Sequence, residues 1–229
     1  MTAAPPPRRR RHRLDIGAVV RTLKRAVRAW SPPAVAQVQA AAPDDPFRVL
    51  VSCLLSLRTK DAVTEVAARR LFALADTPAA ILALPRRAIE RAIYPVGFYR
   101  VKARTLHGVC RDLLARFAGR VPDTLEELLT LKGVGRKTAN LVVTVGYNKA
   151  GICVDTHVHR ISNRWGYVRT KTPEATEQAL RAILPRRHWI AFNDLLVPFG
   201  QNCCKPLSPL CSHCPVEPHC PKVGVTHHR

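Results

Sequence analysis

Leu131-Lys132-Gly133-Val134-Gly135-Arg136-Lys137-Thr138-Ala139 is the stretch on which the fold reading turns. An amphipathic pattern built on Leu125, Leu128 and Leu129 runs up to it, and an apolar helical pattern over 136–147 leaves it. The Gly-x-Gly therefore sits in a tight hairpin between two helices. Glycines there allow backbone angles that other residues resist, and they let the main chain approach a ligand closely. N–H groups at the start of the second helix suit an anion, and Arg136 and Lys137 add positive potential. Taken alone, the same pattern fits an ordinary helix–helix turn with solvated charges.

Working outward, helical periodicity dominates. Asp15 caps a helix carrying Ile16, Val19, Val20, Leu23 and Val27 on one face. Asp45-Pro46 pairs an N-cap with a first-turn proline and opens an apolar helix through Val51 and Leu55. Further helices are expected at 61–75, 78–84, 86–94, 100–117, 156–165, 173–184 and 187–197. Gly119 reads as a stop signal, and Asp123-x-x-Glu126 as a capping box. The segment 151–154 is the one place where a short strand is conceivable. The fold class is all-α, with an Ala- and Pro-rich connector over 31–46.

The chain of 229 residues carries 37 Lys and Arg against 16 Asp and Glu, a formal charge of +21. Five of those cations, Arg8, Arg9, Arg10, Arg11 and Arg13, lie in a Pro-rich tail read as a flexible arm. The remainder is still basic, which favours a polyanionic partner, nucleic acid first. No apolar run approaches the roughly 20 residues that span a membrane. No hydrophobic stretch precedes Asp15, so a secretory signal is not expected. The expected compartment is reducing, the nucleoid-associated cytoplasm if the source is bacterial. Eight cysteines there are metal ligands or buried apolar residues rather than disulfides.

Cys204, Cys211, Cys214 and Cys220 form C-x6-C-x2-C-x5-C in a proline-rich segment, a strong metal signal. Thiolate chemistry alone leaves zinc and an iron–sulfur cluster both open. His213 and His219 interleave as loop residues that a zinc site would be able to recruit. Cys203 reads as a neighbour pointing elsewhere, and Cys53, Cys110 and Cys153 as core residues.

The hairpin stretch resembles the helix–hairpin–helix of the endonuclease III family of DNA glycosylases, with its Leu-x-Gly-Val-Gly-x-Lys-Thr-Ala pattern. Val154-Asp155-Thr156-His157-Val158-His159-Arg160 resembles the family's second signature, which carries its essential aspartate. The cysteine spacing is similar to the family's [4Fe–4S] motif. The likeness runs from about Asp15 to Lys222, with the motifs in order.

The resemblance implies a bifunctional glycosylase and AP lyase acting on oxidised pyrimidines and abasic sites in double-stranded DNA, as a monomer. Lys137 is then the amine that attacks the deoxyribose C1′, expels the base and forms a Schiff base that leads to β-elimination. Its helix-start position, its neighbour Arg136 and exclusion of water by bound DNA all favour the neutral, nucleophilic amine. Asp155 stabilises positive charge on the sugar and shuttles protons, besides serving as an N-cap before Thr156. Gly133, Val134, Gly135, Arg136 and His157 are expected at the DNA. Cys204, Cys211, Cys214 and Cys220 hold the cluster.

Two positions depart from the family pattern. Arg58, in Leu54-Leu55-Ser56-Leu57-Arg58-Thr59-Lys60-Asp61, stands where a glutamine usually enters the space left by the extruded base. An arginine there adds charge and accepts no hydrogen bonds; alternatively it is a solvated helix-end charge. Phe98, in Val96-Gly97-Phe98-Tyr99, is either an apolar wedge or a core aromatic. Competing readings are a monofunctional or mismatch glycosylase of the same superfamily, and a non-catalytic iron–sulfur DNA-binding redox sensor. The implied architecture is two helical lobes with a DNA groove between them. A six-helix lobe spans 39–149. Residues 15–38 join 150–229 in the second lobe, and 1–14 form the tail.

Overall fold

The computed structural model describes residues 14–30 and 45–229; the arginine-rich tail and most of the 31–46 connector lie outside the described residues. What is described is helical throughout, with no β-strand among the described residues. In chain order the helices are α1 Ile16–Ala26, α2 Pro46–Ser56, α3 Asp61–Leu74, α4 Pro78–Ala83, α5 Arg86–Ile93, α6 Tyr99–Phe117, α7 Leu125–Leu129, α8 Arg136–Leu141, α9 Thr156–Arg164, α10 Pro173–Ile183 and α11 Trp189–Asn202.

Local chemistry explains the starts. Asp15, Asp45, Thr77, Thr124, Asp155 and Thr172 each accept a hydrogen bond from a backbone N–H of the first turn. Pro46, Pro78 and Pro173 then occupy positions where a missing N–H costs nothing. The expected capping box is displaced by one residue. Thr124 is the cap, and its hydroxyl also donates to Glu127 Oε2 at 2.7 Å. Asp123 is drawn away instead to Lys149, 2.6 Å from its amine.

Two hydrophobic cores form. The first gathers α2 to α8; α2 is its axis, buried at Phe47, Val49, Leu50, Val51, Cys53, Leu54 and Leu55. An all-round apolar helix can only be stable with neighbours on every side, and α3, α6 and α8 supply them. The second core joins Ile16, Val19, Val20 and Leu23 of α1 to α9, α10 and α11. Each such fully buried side chain contributes on the order of 2 kcal/mol.

The segment 151–154 lies between the cores. It is extended without a ladder partner, and its side chains alternate: Ile152 and Val154 enter the second core while Cys153 enters the first. Period-two burial without a sheet explains why this stretch resembles a strand in sequence.

Two helices run past their expected form. α8 gives way to a π-helical turn over Val142–Gly146, a distortion that often marks functional sites. α11 continues through Pro198 to Asn202, five residues beyond the expected end at Val197. Proline removes the N–H that would reach the Asp194 carbonyl, and burial of Leu195, Leu196, Val197 and Phe199 holds the helix together across that gap.

Candidate active site

α8 and the π-helical turn that follows it present Lys137, Leu141 and Val145 at four-residue intervals to a hollow of about 210 Å3 between the two cores. The opposite wall brings Asp155, Thr156 and His157 from α9 and Asn193, Asp194, Val197 and Gln201 from α11. Ser56, Thr59 and Asp61 close the remaining side. Lys137 and Asp155 also border a second, shallower hollow lined by Gly135, Arg136, Pro173 and Glu177.

Lys137 is half-buried, and among the described residues its amine forms no ion pair. Its carbonyl faces the Cys153 thiol at 3.7 Å. Asp155 is only 8% exposed, and one oxygen accepts from both His157 N and Val158 N at 2.9 Å. The same residue lines both hollows. One side chain thus caps α9 and lines the hollow that Lys137 also lines.

His157 borders the same hollow, with Nδ1 3.1 Å from the Arg160 guanidinium. Burial, outweighing the Asp155 carboxylate, lowers its pKa, so the neutral ring is favoured. α11 fits beneath that ring because residue 200 is glycine; a Cβ there would run into the imidazole.

The hairpin separates the roles of its two glycines. Gly133 has φ +92°, and an added Cβ would lie 2.6 Å from Thr105 Cγ2. Gly135 has φ −94° and open space around its Cα. Val134, expected at the DNA with the glycines, turns its side chain inward. Its side chain is 6% exposed in the first core and its N–H donates to Leu131 O at 3.0 Å. Arg136 is not a free cation either, because its guanidinium is bound to Glu177 at 2.9 and 3.1 Å.

Arg58 and Phe98 come together although 40 positions separate them in sequence. Both adopt left-handed backbone angles, φ 53° and 58°, and both side chains are exposed. The Arg58 guanidinium lies over the Phe98 ring at 5.7 Å. Phe98, 60% exposed, is not a core aromatic.

Cys204, Cys211, Cys214 and Cys220 line one apolar hollow with Trp165, Phe199 and Leu210. Cys203 lines it too, instead of pointing elsewhere, and its thiol interacts with that of Cys214. Among the described residues no three His, Cys, Asp or Glu side chains are spaced to grip a single metal ion. The donor set is all sulfur, suited to soft metal centres. Arg164 anchors the loop, donating to Cys204 Sγ at 3.4 Å, Lys205 O at 2.7 Å and Pro206 O at 2.5 Å. Cys53, Cys110 and Cys153 are buried in the first core; burial pushes the Cys53 and Cys110 thiols up to about 12.

Residues 51–186, more than half of the chain, match the family model described as HhH-GPD superfamily base excision DNA repair protein. An endonuclease III of Thermotoga maritima is 49% identical over 176 residues, covering 77% of this chain and 83% of that protein. The chain belongs to the endonuclease III family. It is also similar to endonuclease III homolog 2, chloroplastic, of Arabidopsis thaliana, 47% identical over 186 residues and 77% of this chain. The chain spans about half of that plant relative, 48% of its length. Among solved structures it is similar to a trapped endonuclease III–DNA covalent intermediate, an estranged-adenine complex, at 34% identity and TM-score 0.73. That match covers 87% of this chain and 96% of the other. A thermostable thymine-DNA glycosylase, 22% identical with TM-score 0.73, shares the fold.

As an endonuclease III family member the protein is a DNA glycosylase/AP lyase of base-excision repair, and the family is one that carries an iron–sulfur cluster. No helix among the described residues is long and apolar enough to cross a membrane. Sequence reading missed Lys102, Glu177, Asp194 and Gln201. Gln201 reaches across to Asp61 at 3.2 Å and ties the cores together on one side of the hollow. Asp194 lines the hollow with its carboxyl pKa raised by burial. None of the four belongs to a contiguous motif.

Proposed function

We propose that the protein removes oxidised pyrimidines from double-stranded DNA as a bifunctional glycosylase, with Lys137 as nucleophile and Asp155 as its electrostatic partner. The observation that carries this reading is the shared hollow, which Lys137, in no ion pair among the described residues, lines together with the buried Asp155 carboxylate. The amine attacks C1′ of the damaged nucleotide as the C1′–N bond to the base breaks, and the base leaves with a proton. Ring opening gives a Schiff base, and loss of a C2′ proton then expels the 3′ phosphate by β-elimination. Asp155 opposes the positive charge that develops on the sugar and then on the iminium nitrogen. Gly133, Gly135 and His157 border the DNA, while Arg58 and Phe98 enter the duplex where the nucleotide is extruded.

The four thiols Cys204, Cys211, Cys214 and Cys220 would hold a [4Fe–4S] cluster, and their all-sulfur set around one apolar hollow fits such a group. When bound, the cluster would fix the shape of this loop through its iron–thiolate bonds. The reading includes a monomer acting in the cytoplasm, with the basic surface supplying sequence-independent affinity.

Borohydride reduction in the presence of an abasic duplex tests the chemistry. A covalent adduct is expected with the native chain and none with Lys137→Gln. No adduct from the native chain, under conditions where DNA binding is demonstrated, overturns the assignment. Iron content and visible absorption of anaerobically purified protein test the cluster, and stoichiometric zinc in a colourless protein overturns it. Duplexes each holding one defined lesion test the preference for oxidised pyrimidines.

A further inference from the structure

Lys102, on the second turn of α6, is only 8% exposed. Among the described residues no carboxylate pairs with it. Its amine donates instead to Leu55 O at 2.7 Å, Leu57 O at 2.5 Å and Thr59 Oγ1 at 3.0 Å. Three donors meet three acceptors, so the ammonium group is saturated. Burial alone lowers its pKa to about 8. A buried ammonium without a counter-charge costs stability, so its retention calls for a task beyond filling space.

The task follows from what the acceptors carry. Leu55 O and Leu57 O belong to the end of α2 and the turn that presents Arg58. Thr59 Oγ1 accepts a second hydrogen bond, from Gly97 N at 3.1 Å, on the loop that presents Phe98. The two loops touch through their backbones, since a Cβ on Gly97 would lie 2.6 Å from Arg58 O. Arg58 and Phe98 flank this junction in left-handed conformations that cost on the order of 1–3 kcal/mol each. Their exposed side chains meet each other across it.

We propose that Lys102 is a positioning residue, its amine pinning the Arg58 turn to the Phe98 loop so that both side chains enter the duplex as one rigid wedge. The proposal rests on the reading above that Arg58 and Phe98 act at the extruded nucleotide. Ser56 and Thr59 border the hollow that holds Lys137, so the pin also fixes the wedge relative to the nucleophile.

The test compares the native chain with Lys102→Met, Lys102→Arg, Thr59→Val and Phe98→Ala. The first readout is the fluorescence rise of 2-aminopurine placed opposite an abasic-site analogue, which reports unstacking. The second is kcat/KM on a lesion in duplex DNA and on a single-stranded abasic oligonucleotide, which needs no extrusion. Lys102→Met is expected to lose the fluorescence rise and about tenfold or more on the duplex, with the single-stranded reaction within about twofold. Lys102→Arg restores most of both losses. Equal losses on the two substrates, or an unchanged fluorescence rise, overturn the proposal. Should Lys102→Met fail to fold, Thr59→Val breaks the bridge while leaving the α2 carbonyls paired, and a native fluorescence rise in that variant overturns it. If Phe98→Ala also keeps the native rise, the wedge reading itself has failed. Loss in Phe98→Ala with retention in Lys102→Met and Thr59→Val overturns the role of Lys102 alone.

Discussion

Arg136, the residue just before Lys137, gives its guanidinium to Glu177 of the second core, with Nη2 and Nε at 2.9 and 3.1 Å from the two carboxylate oxygens. Arg181 meets the same carboxylate at 3.0 Å and also reaches Asn140 of α8 at 3.3 Å. The arginine expected to raise the positive potential beside Lys137 is thus held in an ion pair, and the two guanidinium groups share a single carboxylate. Arg136 serves to lock α8 to α10, and the position of Lys137 with it.

Glu177→Gln is expected to destabilise the protein by about 3 kcal/mol, because it leaves two guanidinium groups without their charge partner. Burial pushes the Glu177 carboxyl up, but hydrogen bonds and charge from Arg136 and Arg181 outweigh it and hold the pKa below 4.5. A depressed folded value means that this contribution is full above pH 4.5 and is lost as pH falls through the folded pKa. Thermal unfolding between pH 3 and 7 should show a steeper acid loss in the native chain than in Glu177→Gln. Parallel curves would contradict the lock.

Asp155 caps α9 and, on the proposed mechanism, also supplies the active-site charge; two substitutions separate these roles. Asn preserves capping, so Asp155→Asn should change stability by only a few tenths of a kcal/mol while reducing the lyase rate by about 10²-fold or more. Asp155→Ala should add a stability loss of about 1 kcal/mol. Unfolding and single-turnover measurements on both variants check this, and an active Asp155→Asn would limit the residue to capping.

The hairpin glycines should respond differently to the same change. Gly133→Ala forces a side chain into a left-handed position and against Thr105, so a loss of about 1–3 kcal/mol is expected. Gly135→Ala meets no neighbour within 4 Å and should leave unfolding nearly unchanged. Its effect should appear in binding to an abasic-site duplex, where an added methyl group holds the backbone away from DNA. Native affinity in Gly135→Ala would remove Gly135 from the interface.

Arg164, 9% exposed, holds the cysteine loop through three hydrogen bonds. Arg164→Met keeps the apolar stem and removes every donor. Iron per chain and visible absorption should fall by at least half, with increased loss of iron to a chelator. Native iron content and retention would show that the thiols organise the loop without it.

Much of the fold was legible because its signals are local. An aspartate or threonine cap acts within three residues, and a first-turn proline acts on its own helix, so Asp45-Pro46 and Thr172-Pro173 mark real starts. Local signals also explain the errors. Asp123 and Thr124 are equally good caps in isolation, and only the distant Lys149 claims the aspartate. The last helix, expected over 187–197, runs on through Pro198 because the apolar packing that carries α11 past it comes from other elements.

By itself, the sequence determined an all-α fold, a hairpin ending in Lys137, an aspartate at position 155 and four closely spaced cysteines, since each is a contiguous pattern of residue types. Tertiary structure alone decided that Arg136 is paired with Glu177 41 positions away and that Lys102 binds carbonyls 45 and 47 positions away. It also decided that Val134 faces inward and that Arg58 meets Phe98. Charge and burial are properties of the surroundings, and those surroundings exist only once distant segments of the chain have packed together.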